Sequence, residues 1–122
     1  MIVVVLALAG AIGAVARFVV DGYVQGRLGS VFPWGTFVIN TSGSVLLGFL
    51  AGVALNRGFP HLPYAFLATG FCGAYTTFST FGYETIRLAE EGAGQAAGAF
   101  ALGSVVAGLV GAVLGLSLAA AF

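Results

Sequence analysis

Hydrophobic residues run along this chain in long stretches broken by brief clusters of glycine and polar residues. Four apolar segments result, at about 2–20, 33–55, 62–88 and 94–121. Each is about as long as a bilayer-crossing helix, which takes roughly 20 residues. The breaks fall at 21–32 (Gly22, Gly26, Gly29, Ser30), 56–61 (Asn56, Arg57, Gly58, Pro60, His61) and 89–93 (Glu90, Glu91, Gly92). These are turn-forming residues. Connections this short make sequential helices antiparallel neighbours, and an even number of crossings puts both termini on one side. Trp34 and Tyr64, each following a proline, stand where interfacial aromatics mark the start of a span.

Composition turns this pattern into a solvent assignment. Of 122 residues, 60% are hydrophobic and only 7% charged, with 20 glycines and no lysine. A water-soluble domain of this size could not cover itself with so little polar surface. The expectation is an all-α integral membrane protein, a single membrane domain over 1–122 in the cell membrane, with the bilayer as its surroundings and any function inside it. Four scattered arginines and zero net charge make no basic stripe, so nucleic acid is excluded as a partner. The lone Cys72 makes neither an intrachain disulfide nor a multi-cysteine metal site. The apolar run from Ile2 to Ala16 lacks a basic region before it and is expected to be a retained first helix.

The arginines give little orientation bias. One face carries Arg17, Arg27 and Arg87, the other Arg57 and the N-terminal amine. With Arg17 drawn into the bundle the two sides differ by about one charge under the positive-inside rule. A chain inserted in both orientations would have this balance.

Small and polar residues fall on helical faces. Thr36, Asn40, Ser44, Gly48 and Gly52 lie four apart in the second segment, and Ser104, Gly108, Gly111 and Gly115 form a similar face in the fourth. Such rows let helix backbones approach closely. Asn40 goes beyond generic packing, because its side chain is too short to reach the headgroups and an intramembrane polar group turns to a partner or a water-filled path. It suits helix-to-helix bonding or holding a bare anion. Arg17, with Asp21 one turn on, can snorkel to the headgroups or stand at a pore mouth. Glu84 can cap, pair with an arginine, or line a path. The Asn40-Thr41-Ser42 sequon lies within the membrane and is expected to stay unmodified.

The third segment carries the densest chemistry, Gly70-Phe71-Cys72-Gly73-Ala74-Tyr75-Thr76-Thr77-Phe78-Ser79-Thr80-Phe81-Gly82. Glycines followed by β-branched and hydroxyl residues disfavour continuous helix, and a break is expected near 73–79. Irregular backbone at membrane depth survives only when buried in protein or lining a cavity. Free carbonyls there could meet a cation, and N–H groups of a restarted helix an anion. Phe78 and Phe81, three apart, share a face of such a helix. Their ring edges are electropositive and would hold an anion weakly, as conduction requires. Two phenylalanines in a membrane helix are by themselves ordinary packing.

Four blocks in order resemble the small fluoride channels of the Fluc/CrcB family: Gly10 to Arg17; Pro33-Trp34-Gly35-Thr36-Phe37 with Asn40 and Gly43; the 70–81 stretch; and Glu84 after it. The resemblance implies an antiparallel dual-topology homodimer with two fluoride pores, each pore built from both subunits, and passive export of toxic fluoride. By position it implies Phe78 and Phe81 as pore rings, Asn40 as the donor beside them, and Thr77, Ser79, Thr80 and Ser104 as polar lining. Arg17 becomes a vestibule residue. The main-chain carbonyls of Gly73 and Ala74 become ligands of a structural sodium ion at the dimer centre. Phe100 and Gly108 stand where family members can have tyrosine and serine.

The alternative is a small four-helix multidrug or cation exporter of dual topology, which needs a carboxylate in its first helix, and Met1 to Val20 has none. A bis-histidine haem subunit fails on the single histidine, His61. An intramembrane hydrolase fails because Ser79 has no base in reach of a sequence argument, and no enzymatic activity is expected.

Overall fold

The computed structural model describes residues 1–29 and 31–122, and every regular element among them is helical. Helix α1 spans Ile2–Leu28, α2 Trp34–Arg57, α3 residues 61–75, α4 Ser79–Glu90 and α5 Gly94–Ala121. At 1.5 Å per residue α1, α2 and α5 are each about 36–42 Å long, enough to cross a hydrocarbon core of about 30 Å. These three are continuous, strongly apolar spans, and the protein is a multi-pass membrane protein. The expected third span is divided. Neither α3 nor the 12-residue α4 reaches across alone, whereas the two in succession do.

The first helix is longer than its hydropathy suggested. It continues past residue 20 through Asp21, Gly22 and Gly26, all of which were expected in a loop, and ends at Leu28. Gly29 stops it in the left-handed region at φ 42°, its N–H bonded to the Gln25 carbonyl at 2.8 Å. Glycine is suited to that conformation, having no Cβ to clash. The expected loop residue Ser30 lies outside the described residues. The helix continues because Gln25 is held from the connection to α2 and its first turn: its Nε2 donates to the Phe32 carbonyl (3.2 Å) and its Oε1 accepts the Gly35 N–H (3.2 Å). Asp21 is thereby helical, yet it stands beside Gly35 at the start of α2, toward the end of the bundle rather than mid-span.

Helices α2 and α5 pack most extensively, through the two rows of small residues. A Cβ on Gly48 would strike the Ala112 backbone, and one on Gly115 the backbone of Val45 and Phe49. Helix α3 lies on α1, where a Cβ on Gly13 would meet the Phe71 carbonyl. Within α3, residues Ala65–Cys72 are wound as a π-helix between α-helical turns His61–Tyr64 and Gly73–Tyr75. Such widened turns are rare and concentrate at functional sites. Two apolar clusters divide the bundle between the halves of the third segment. Leu50, Ala68 and Cys72 anchor α3, while Leu88, Ala97 and Phe100 join α4 to α5. The break thus lets the segment leave α1 and continue along α5.

Substituting Gly48→Val should overpack the α2–α5 contact and cost about 1–3 kcal/mol. The check is an unfolding titration in detergent, where an unchanged midpoint would contradict this close approach.

Candidate functional site

The break is sharp and specific. Thr76 is extended (φ −76°, ψ 162°) and the helix resumes at Ser79, inside the expected window of 73–79. Its polar backbone groups are met by side chains from other elements. Asn40 on α2 donates from Nδ2 to the Thr77 carbonyl and accepts the Thr77 N–H at Oδ1, both at 2.8 Å. Arg17 on α1 donates from Nη1 to the Thr76 carbonyl at 3.3 Å. The Thr77 hydroxyl accepts the Thr80 N–H (3.1 Å), capping α4, and donates to the Thr80 hydroxyl (3.1 Å). Gly43 makes room for this approach, since a Cβ there would collide with the Thr76 methyl group.

Arg17 is thereby engaged within the bundle. About 16 Å of α1 extends beyond it at 1.5 Å per residue, and it points to the break. Glu84 resolves as a pairing residue. It accepts from Arg87 Nε at 2.9 Å and forms a closer ion pair with Nη2 at 2.6 Å. Arg87 also reaches Glu91 at 3.3 Å and the Val31 carbonyl at 3.4 Å. These contacts lie at the bundle end with part-exposed side chains, so each ion pair contributes under about 1 kcal/mol.

A cleft of about 300 Å³ opens beside the break, lined by Asn40, Ser44, Thr77, Phe78, Phe81 and Ser104 among others. Five of the seven residues expected to form the pore, Asn40, Thr77, Phe78, Phe81 and Ser104, thus meet in one place. The Phe78 and Phe81 rings are 5.8 Å apart and tilted by 42°, and Phe81 lies 5.4 Å from the fully buried Phe100. Phe78 is 85% exposed in the single chain. Ser104 is 9% exposed, and its hydroxyl has no hydrogen-bond partner among the described residues. Ser79 and Thr80 do not line the cleft. Ser79 is exposed, and Thr80 is occupied with Thr77. Arg17 is also outside it.

Sequence reasoning gave no part to Ser44, Gly43 or Thr76 in this cleft, although Ser44 is one turn beyond Asn40 in the small-residue row. Its hydroxyl donates back to the Asn40 carbonyl at 2.7 Å. It also missed Ser42, whose hydroxyl lies 2.9 Å from that of Tyr75 and ties the last turn of α3 to α2. A serine among membrane glycines carries no signal for a tyrosine 33 residues away.

On the other side of the break, the carbonyls of Gly73 and Ala74 receive no backbone N–H among the described residues. The Thr77 amide that would close the turn onto Gly73 goes to Asn40, and α4 starts afresh. Gly73 is exposed. Unpaired carbonyls at a helix C-terminus carry partial negative charge and fit a hard cation.

The sequence matches the profile of the family described as CrcB-like protein, Camphor Resistance (CrcB), over residues 4–116. The chain belongs to the CrcB family. Among curated CrcB relatives, it is 53% identical over 113 residues to fluoride-specific ion channel FluC 1 of Streptomyces avermitilis, covering 91% of this chain and 90% of that one. It is 52% identical over 115 residues to FluC 2 of Mycolicibacterium paratuberculosis, covering 93% and 90%. With fluoride-specific ion channel FluC of Syntrophotalea carbinolica the identity is 44% over 120 residues, covering 98% of each.

In this CrcB chain, Thr77→Val should remove the α4 cap and lower stability by about 1 kcal/mol, while Thr77→Ser keeps it. Thermal unfolding in detergent distinguishes them; equal melting temperatures for both variants would deny the cap.

Proposed function

We propose that this chain is the subunit of a fluoride-selective channel, exporting fluoride passively, with two pores formed in an antiparallel dual-topology homodimer. The observation that carries the reading is the cleft in which Asn40, Phe78, Phe81 and Ser104 converge at a helix break within the membrane. Its relatives bear the name of fluoride-specific channels over nearly their whole length. The exporter alternative lacks support, since Asp21 lies at the bundle end and the cleft contains no carboxylate.

Fluoride is small and strongly hydrated, so a dry passage must replace its water with donors. Most hydroxyls around the break are already engaged. Among the described residues, the free donors at the cleft are the buried Ser104 hydroxyl and the second Nδ2–H of Asn40, whose other N–H bonds Thr77. The edges of Phe78 and Phe81 add weak electropositive contacts. Few, weak sites let an ion both enter and leave. Thr77 shapes the passage by holding the turn, with Ser79 and Thr80 as further polar groups on the same turn. Arg17 places a positive charge against the break and serves as the vestibule residue.

The exposed faces of Gly73 and Phe78 support a second copy against this side, which would close each cleft into a pore. The free carbonyls of Gly73 and Ala74 from two copies would hold a structural sodium ion between them. Bound there, it would offset the partial negative charge of the carbonyls and join the subunits.

Liposomes containing the purified protein should leak fluoride, read by electrode, and retain chloride; no fluoride-selective leak would sink the proposal. Phe78→Ile and Phe81→Ile should each slow fluoride about tenfold or more, equivalent to about 1.4 kcal/mol, with the oligomer intact by size exclusion. Replacing sodium on both sides with a bulky organic cation should also slow the leak. An indifferent rate would remove the ion and leave the fluoride reading standing.

A further inference from the structure

The Asn40 side chain meets Thr77 as one peptide meets another. Its oxygen takes the Thr77 N–H and its nitrogen gives a proton to the Thr77 carbonyl, at 2.8 Å each. A residue in an antiparallel sheet exchanges the same two bonds with its partner. Thr77 is only 9% exposed, so water cannot readily substitute. Its neighbour Thr76 is also held, with its N–H and hydroxyl on the Cys72 carbonyl at 3.0 and 2.9 Å. Phe78 follows directly and is held by little else. Its ring is 85% exposed, and its only aromatic neighbour among the described residues is Phe81. Within one chain, the placement of that ring is set by the backbone at Thr77 together with its single contact to Phe81.

We infer that Asn40 is a positioning residue for the pore: its carboxamide fixes the backbone of the helix break and, through Thr77, the placement of Phe78. The inference rests on the channel reading for its functional consequence, but the clamp itself is a property of the fold. It divides the work of one side chain. One N–H and the oxygen hold the break, and one N–H remains for the anion.

The test separates holding from ion contact. In wild-type protein the Thr77 amide should exchange slowly with deuterium, and in Asn40→Ala about tenfold faster, as loss of a net hydrogen bond predicts. Asn40→Asp keeps the acceptor, so Thr77 should stay protected while fluoride flux falls. A general loss of packing would loosen both variants alike. An ester in place of the Thr77 amide, with Asn40 intact, deletes the N–H of the clamp and weakens the Thr76 carbonyl as acceptor for Arg17, so a loss is read only through its coupling to Asn40. It should slow fluoride flux, and adding Asn40→Ala should then cost less than Asn40→Ala does alone. Wild-type flux through the ester channel, independent losses in the combined variant, or unchanged Thr77 exchange in Asn40→Ala would each overturn the clamp. Absence of fluoride flux from the unmodified protein would instead overturn the channel reading, and the exchange measurements would still judge the clamp.

Discussion

Inside a bilayer, a peptide group that leaves its helix has no water to turn to, and each one left unpaired costs several kcal/mol. The turn at 76–78 exists because three side chains supply what water would. Asn40 takes both polar groups of Thr77, Arg17 takes the Thr76 carbonyl, and the Thr77 hydroxyl caps the helix that follows. They come from α2, α1 and the turn itself, so the break can form only in the assembled bundle. The helices must also come close enough for short side chains to reach, which is the work of Gly13 against α3 and Gly43 against Thr76.

The same turn governs the shape of the site. A straight third helix would run along α1 throughout. Broken, its first half stays with α1 while its second half joins α5 through Leu88, Ala97 and Phe100. The cleft lies where the halves part. Its aromatic wall continues inward from Phe78 through Phe81 and Phe100 to Phe32, with successive centroids 5.4–5.8 Å apart. Thus the exposed ring at the cleft is the end of a packed series whose inner members are anchored. The polar wall is economical, because the hydroxyls of Ser44 and Thr76 are spent on the backbone and that of Thr77 on Thr80 behind it. What remains to face an ion is sparse, and sparseness favours passage over capture.

Charge is kept to the bundle ends. Arg87 gathers Glu84, Glu91 and the Val31 carbonyl, which secures the connection between α1 and α2 against α4. Arg17 is the exception, a cation turned toward the break and bonded there to a carbonyl instead of a carboxylate. A carbonyl leaves its positive charge largely uncompensated.

Much of this was legible in the residues. Long apolar runs and punctuating glycines determined a membrane solvent, because no other environment accommodates them, and hydroxyl residues beside Gly73 determined a break, because they compete with the helix for its own backbone. The family resemblance pointed to Asn40, Phe78, Phe81 and Ser104, which meet at one cleft. Tertiary structure decided the rest. Helix α1 outlasts its hydropathy because Gln25 finds partners at Phe32 and Gly35. The π-winding of 65–72 has no counterpart in local pattern. Ser79 and Thr80 carry the same hydroxyls as Thr77 but turn away from the cleft, while Ser44, an ordinary member of a small-residue row, lines it. Composition tells which groups need partners in lipid, and only the packed helices determine which partner each one finds.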